Sequence, residues 1–167
     1  LGGPIDFGGQ WIGETHVLLP ELGAELGLET VSSVKPGNDL FVFNGDVVVG
    51  DEDQAPSSAS WTDELARSFE LLDEEGARLG WAEPWASPHV GDLDTLTVAQ
   101  WLDQNVQSPE VRMIHEVMVN ILNGASTTEV SMAYWAYFVH QGEGIESLIG
   151  TRSGAQAAWF IGGMLLS

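Results

Sequence analysis

The 167-residue chain contains no cysteine. Disulfides, thiolate nucleophiles and cysteine-ligated zinc are thereby excluded, and redox compartment leaves no trace in the sequence. Positive charge is nearly as scarce. Five Lys and Arg face 25 Asp and Glu, for a formal net charge of −20, and Lys35 is the only lysine. That balance repels phosphate backbones and anionic membrane surfaces, so neither nucleic acid nor membrane is an expected partner. Most of the carboxylates are expected to form a solvated face. Long apolar runs are missing too. The most apolar stretch, Trp159 to Leu166, is too short to span a bilayer and contains Gly162-Gly163. No cationic segment leading into an apolar one opens the chain, so no secretory signal is expected and a cytoplasmic location is.

What is present suffices for a core. Hydrophobic residues make up 44% of the chain, which argues against disorder. The segments read as a helical middle flanked by short strands, an α+β arrangement. Val17, Leu18, Leu22 and Leu26 recur at helical spacing, with Thr15 as candidate cap, Gly27 as stop, and Pro20 delaying the regular helix to about Leu19. Glu29 to Val34 is a strand candidate. Leu40 to Phe43 and Asp46 to Val49 flank Asn44-Gly45, the pattern of a hairpin with a type I′ turn. Trp61 to Leu79 carries an apolar stripe, and Gly80 to Asp94 reads as irregular. Helices are expected over Thr97 to Gln104, from Pro109 (capped by Ser108) to Asn123, and over Thr128 to His140. In the second of these, Val111, Ile114, Met118, Ile121 and Leu122 are expected to face inward. Ser153-Gly154-Ala155 reads as a turn before a strand at Trp159 to Ile161.

Several familiar chemistries fail on inspection. His115-Glu116 opens like a zinc-protease helix, but the second histidine would fall at Val119. The four histidines show no ligand spacing, so no metal is expected. Gly142-Glu143-Gly144 follows a helix, its third glycine is replaced by Ser147, and Glu143 would confront a pyrophosphate. No nucleophile elbow and no Walker loop occur.

Two distant segments carry more. One is Asp6-Phe7-Gly8-Gly9-Gln10-Trp11-Ile12-Gly13 followed by Leu22 to Thr30. The other runs from Tyr134-Trp135-Ala136-Tyr137-Phe138-Val139 through Gly154-Ala155-Gln156 to Phe160-Ile161-Gly162-Gly163. Asn120-Ile121-Leu122 and Glu129-Val130-Ser131 lie between them. In this order the set resembles the flavin-containing amine oxidases, the family of the monoamine oxidases.

The resemblance implies a mostly helical substrate-domain segment with short strands and a hairpin, flanked by incomplete pieces of a flavin-binding α/β domain. The expected division is 1–30 flavin-binding, 31–152 substrate-binding and 153–167 returning to the flavin domain. It implies FAD in the complete enzyme, approached by Gly8, Gly9, Gln10 and Trp11, where glycines let the backbone near a planar ring. It implies a substrate cavity lined by Met118, Ile121, Leu122, Leu148 and Ile149, with Gln156 orienting the amine. The implied reaction oxidises a C–N bond to an imine and yields hydrogen peroxide, with no side chain assigned as catalytic.

Thr15-His16 and Ala157-Ala158 depart from the family's usual residues at those points. The family's pyrophosphate-binding strand and glycine turn, its paired aromatic residues around the amine and its flavin-side lysine have no match here. The chain opens at Leu1 rather than at a methionine and closes on the apolar Met164-Leu165-Leu166-Ser167. An internal piece of a longer oxidase, inactive and unable to hold FAD alone, is therefore expected. Its partners would be an amine and the missing flavin-binding segments or chains, with homodimerisation of the complete enzyme left open. The rival expectations are a non-catalytic acidic module on the oxidase fold and one subunit of a split enzyme.

Overall fold

The computed structural model describes residues 9–34, 37–43, 45–50 and 59–161, which form two units: 1–38 with 146–167, and 39–145. The longer unit begins with the expected hairpin. Strands β2 (Leu40–Phe43) and β3 (Asp46–Val49) pair antiparallel, with Leu40 opposite Val49 and Phe43 opposite Asp46. Gly45 takes a φ of +93°, which side-chain-bearing residues avoid; Asn44 lies outside the described residues. Because strand side chains alternate, Phe41 and Phe43 share a face, and both rings pack on buried Trp61 at 5.7 and 5.6 Å.

Helix α2 (Thr62–Leu79) turns Leu65, Phe69, Leu72 and Leu79 inward, as its stripe predicts. Its main partner is α6 (Met132–Gln141), which buries Met132, Trp135, Ala136 and Val139. The two helices meet closely at Gly76, where an added Cβ would lie 2.6 Å from the Ala136 carbonyl oxygen and 2.8 Å from His140 Cβ. The segment read as irregular contains a 3-10 turn, Pro84–Ala86, and the short helix α3 (Val90–Asp94), too brief to show a period.

Helix α4 (Val98–Asn105) starts on a capping box between Thr97 and Gln100. Helix α5 (Pro109–Asn123) has Ser108 as its cap, Pro109 in the first turn and Gly124 at a φ of +65° as its stop. The Glu64 carboxylate accepts the amides of Gln107 and Ser108, tying α2 to the start of α5.

Two expectations for the longer unit are corrected here. The sixth helix begins at Met132, not Thr128. Ser126, Thr128 and Glu129 bond among themselves in a turn, and Ser131 supplies the cap. That turn is held by a distant partner, since Val98 and Ala99 donate to the carbonyls of Val130 and Thr127.

The inward face of α5 also differs. It carries Val111, His115 and Val119, while Ile121 is 72% exposed and Met118 and Leu122 are half-buried. His115 has no solvent exposure. Its ring lies edge-on to Phe69 and Trp101, and its Nε2 sits 2.8 Å from Ser68 Oγ. Ser68 donates its own proton to the Leu65 carbonyl, so Nε2 must donate to Ser68, and Nδ1 is left as a bare acceptor with no partner. Burial alone pushes the His115 pKa down to about 4.

In the shorter unit, helix α1 runs Leu18–Glu25 with Pro20 in its first turn. Thr15 does not cap it. The chain instead makes a tight turn in which the Gly13 amide donates to His16 Nδ1. Strand β1 (Thr30–Ser32) pairs antiparallel with β4 (Ala158–Phe160), and Ile12 bridges to Ala158 as well. Buried Phe160 lies against Gly23 of α1, where a Cβ would be 2.3 Å from the ring. Helix α7 (Ile145–Ile149) precedes the turn that leads into β4. No helix among the described residues is long and apolar enough to cross a membrane.

Candidate functional site

The shorter unit gathers most of the residues singled out from the sequence. Gly8 lies outside the described residues. Gly9 is exposed at a φ of +66°, a left-handed conformation natural to glycine, followed by half-buried Gln10 and Trp11. The next residue, Ile12, exchanges two backbone bonds with Ala158, at 2.7 and 3.0 Å. Trp11 thereby meets Trp159, the rings edge-to-face at 5.6 Å. Residues almost 150 positions apart thus stand side by side, and the partner strand begins two residues after Gln156.

Gln156 is half-buried, and its Nε2 donates to the Leu148 carbonyl at 3.3 Å. Its backbone amide donates to Gly150, and the Ala155 amide donates to Ser147. Gln156, Leu148 and Ile149 therefore form one local constellation, with Leu148 and Ile149 both half-buried.

Met118, Ile121 and Leu122 belong to the longer unit. There they lie along an open apolar flank of α5 that also shows Met113 and Val117. This flank is what the sequence mistook for the core side of the helix. The longer unit also has a cleft of about 270 Å³ between Asp73, Trp81, His140, Glu143 and Gly144. It contains none of the residues expected to bind flavin or amine.

The segment suits the edge of an isoalloxazine. A bare left-handed glycine gives a ring access to the main chain, and Trp11 with Trp159 offers an apolar aromatic wall beside it. Among the described residues nothing suits the pyrophosphate. The Gly142–Gly144 turn follows α6 rather than a strand, and Glu143 occupies it at a φ of +62°.

The sequence motifs contained Gly13 and Gly154 without showing that their backbones touch neighbouring main chain, and Gly150, which does the same, was not singled out. Sequence reasoning also missed Trp159 as the partner of Trp11. Spacing could not have shown either. The only hint was the density of glycine around Gln156.

Residues 2–164 match the family model described as flavin containing amine oxidoreductase. The chain belongs to this family. It is 33% identical over 160 residues to a probable flavin-containing monoamine oxidase A of Dictyostelium discoideum, covering 95% of this chain and 35% of that protein. Among solved structures, the cyclohexylamine oxidase of Brevibacterium oxydans IH-35A matches with a TM-score of 0.91 and 51% identity, over 97% of this chain and 36% of that one. A putrescine oxidase bound to putrescine matches with a TM-score of 0.84 and 25% identity, over 94% and 35%. The chain thus spans about a third of the length of the relatives it matches.

Proposed function

We propose that the protein containing this chain is an FAD-dependent oxidase of primary or secondary amines, forming an imine and hydrogen peroxide. These 167 residues supply part of its substrate wall and the edge of its flavin site, and alone they do not turn over. The observation that carries this reading is the tethering of Gln156 to Leu148 on the turn that leads into the strand beside Trp11.

With Nε2 engaged, the Gln156 amide has a fixed orientation, and Oε1 is the atom that accepts an amine N–H. Leu148 and Ile149 exclude water from the neighbouring space, and the open α5 flank of Met118, Ile121 and Leu122 offers further apolar surface of the kind a substrate wall needs. Desolvation disfavours the ammonium form and so supplies the neutral amine that reacts. When bound, FAD would supply the oxidising chemistry: a hydride equivalent from the carbon and a proton from the nitrogen leave the C–N unit, and these two electrons and two protons reduce oxygen to hydrogen peroxide. The net charge of −20 attracts cationic amines from a distance without selecting among them.

The test compares the full-length protein with the 167-residue chain. Full-length protein is expected to carry a visible flavin spectrum through gel filtration and to release peroxide with a panel of alkyl and aryl amines. The isolated chain mixed with FAD is expected to lose the flavin on the column. A full-length protein that holds FAD but oxidises none of the amines would refute the proposal. One that holds no flavin would favour a non-catalytic acidic module instead.

A further inference from the structure

We infer that Gly13, Gly150 and Gly154 are positioning residues for Gln156, forming a side-chain-free seat that fixes its amide on the Leu148 carbonyl. This deepens the reading above and rests on Gln156 as the group that orients the amine. At Gly154 an added Cβ would lie 2.1 Å from the Ser147 carbonyl oxygen and 2.8 Å from both Cα and the carbonyl oxygen of Gly150. At Gly150 it would lie 2.9 Å from the Glu146 carbonyl oxygen and 3.2 Å from Gly154 Cα. At Gly13 it would lie 2.8 Å from Ala155 Cα and 3.3 Å from the Gly154 carbonyl oxygen. None of the three adopts a positive φ, so close approach, not backbone conformation, is what demands glycine.

The contacts fall on backbone atoms, which cannot swing aside as a flexible side chain would. They surround the turn whose amides at Ala155 and Gln156 donate to Ser147 (2.7 Å) and Gly150 (3.1 Å), and from which the Gln156 side chain reaches Leu148. On the other side the turn runs straight into the Ile12–Ala158 pairing. Gln156 is therefore gripped through its own main chain. Restoring ordinary contact after adding a methyl at Gly154 moves the turn by on the order of 1 Å, a misplacement of the size that lowers enzymatic rates about a hundredfold.

The experiment uses the flavin-loaded full-length protein with Gly150→Ala, Gly154→Ala, Gln156→Ala and the double variant Gly150→Ala/Gln156→Ala. It reads kcat and KM for one primary amine, flavin content, thermal midpoint, and the flavin difference spectrum induced by an unreactive amine analogue. Gly150→Ala and Gln156→Ala are each expected to raise KM and weaken the analogue-induced spectrum by about tenfold or more, with flavin content unchanged. The double variant should be no worse than Gln156→Ala alone, because the glycine acts only through the glutamine. Additive losses in the double variant, or a Gly150→Ala enzyme with unchanged KM beside an impaired Gln156→Ala enzyme, overturn the seat and leave the oxidase reading standing. An unimpaired Gln156→Ala enzyme overturns the role of Gln156 and the seat together. Should Gly154→Ala fail to fold, Gly150→Ala, with the milder overlap, still decides.

Discussion

His115 makes the protein sensitive to mild acid in a way that can be measured. The residue is fully buried, its Nε2 donates to Ser68 and its Nδ1 has no partner, so the native state favours the neutral ring. The pKa falls from 6.5 in the unfolded chain to about 4 in the fold. Above pH 6.5 neither state binds the proton and stability is full. Between pH 6.5 and about 4 the unfolded chain binds a proton that the native state refuses, so stability falls as pH falls, by about 1.4 kcal/mol per pH unit. Below about pH 4 both states are protonated and the loss levels off at about 3 kcal/mol.

The control is His115→Leu. It removes the orphan nitrogen while Ser68 keeps its bond to Leu65, so stability at pH 7 is expected to change by no more than about 1 kcal/mol. Relief of acidic self-repulsion at low pH is common to both proteins and cancels in the difference. Denaturant unfolding followed by helical circular dichroism from pH 7.5 to 3.5 should show the two proteins diverging below pH 6.5, the wild type losing more. Parallel curves across that range would refute the reasoning. So would a His115 ring proton that titrates near pH 6.5 by NMR.

Two further outcomes follow from the packing. Gly76→Ala places a methyl 2.6 Å from the Ala136 carbonyl, so despite the better helix propensity of alanine it should destabilise by about 1–3 kcal/mol, visible as a lower thermal midpoint. Thr97→Ala breaks the capping box of α4 and should cost about 1 kcal/mol in denaturant unfolding, with Thr97→Ser largely restoring it.

Local chemistry carried much of the fold into view. The Asn44-Gly45 hairpin, the stripe of α2, and the Ser108 and Gly124 limits of α5 are each decided by residues within a few positions of one another. Reading failed where a distant partner decides. The start of α6 depends on the bonds of residues 127–132 to residues 96–99. The inward face of α5 went to His115 rather than to the more apolar side, and Ser68, 47 positions away, provides a partner for its Nε2. The site divides in the same way. Gln156 was singled out through the family resemblance alone, and what the structure adds, its tether to Leu148, follows from short-range geometry. The meeting of Trp11 with Trp159 and the glycine contacts around Ala155 arise from long-range backbone approach, which no spacing rule encodes.

Strand β4 lies between two partners drawn from the start of the chain, Ile12 and β1, with the whole of residues 39–145 interposed along the sequence. On a ribosome, the early segment emerges long before the strand that completes its sheet exists. The longer unit is one unbroken stretch of sequence, so it is able to close before residues 158–160 have been made. The pairing of β1 with β4 therefore waits on the final residues of the described chain.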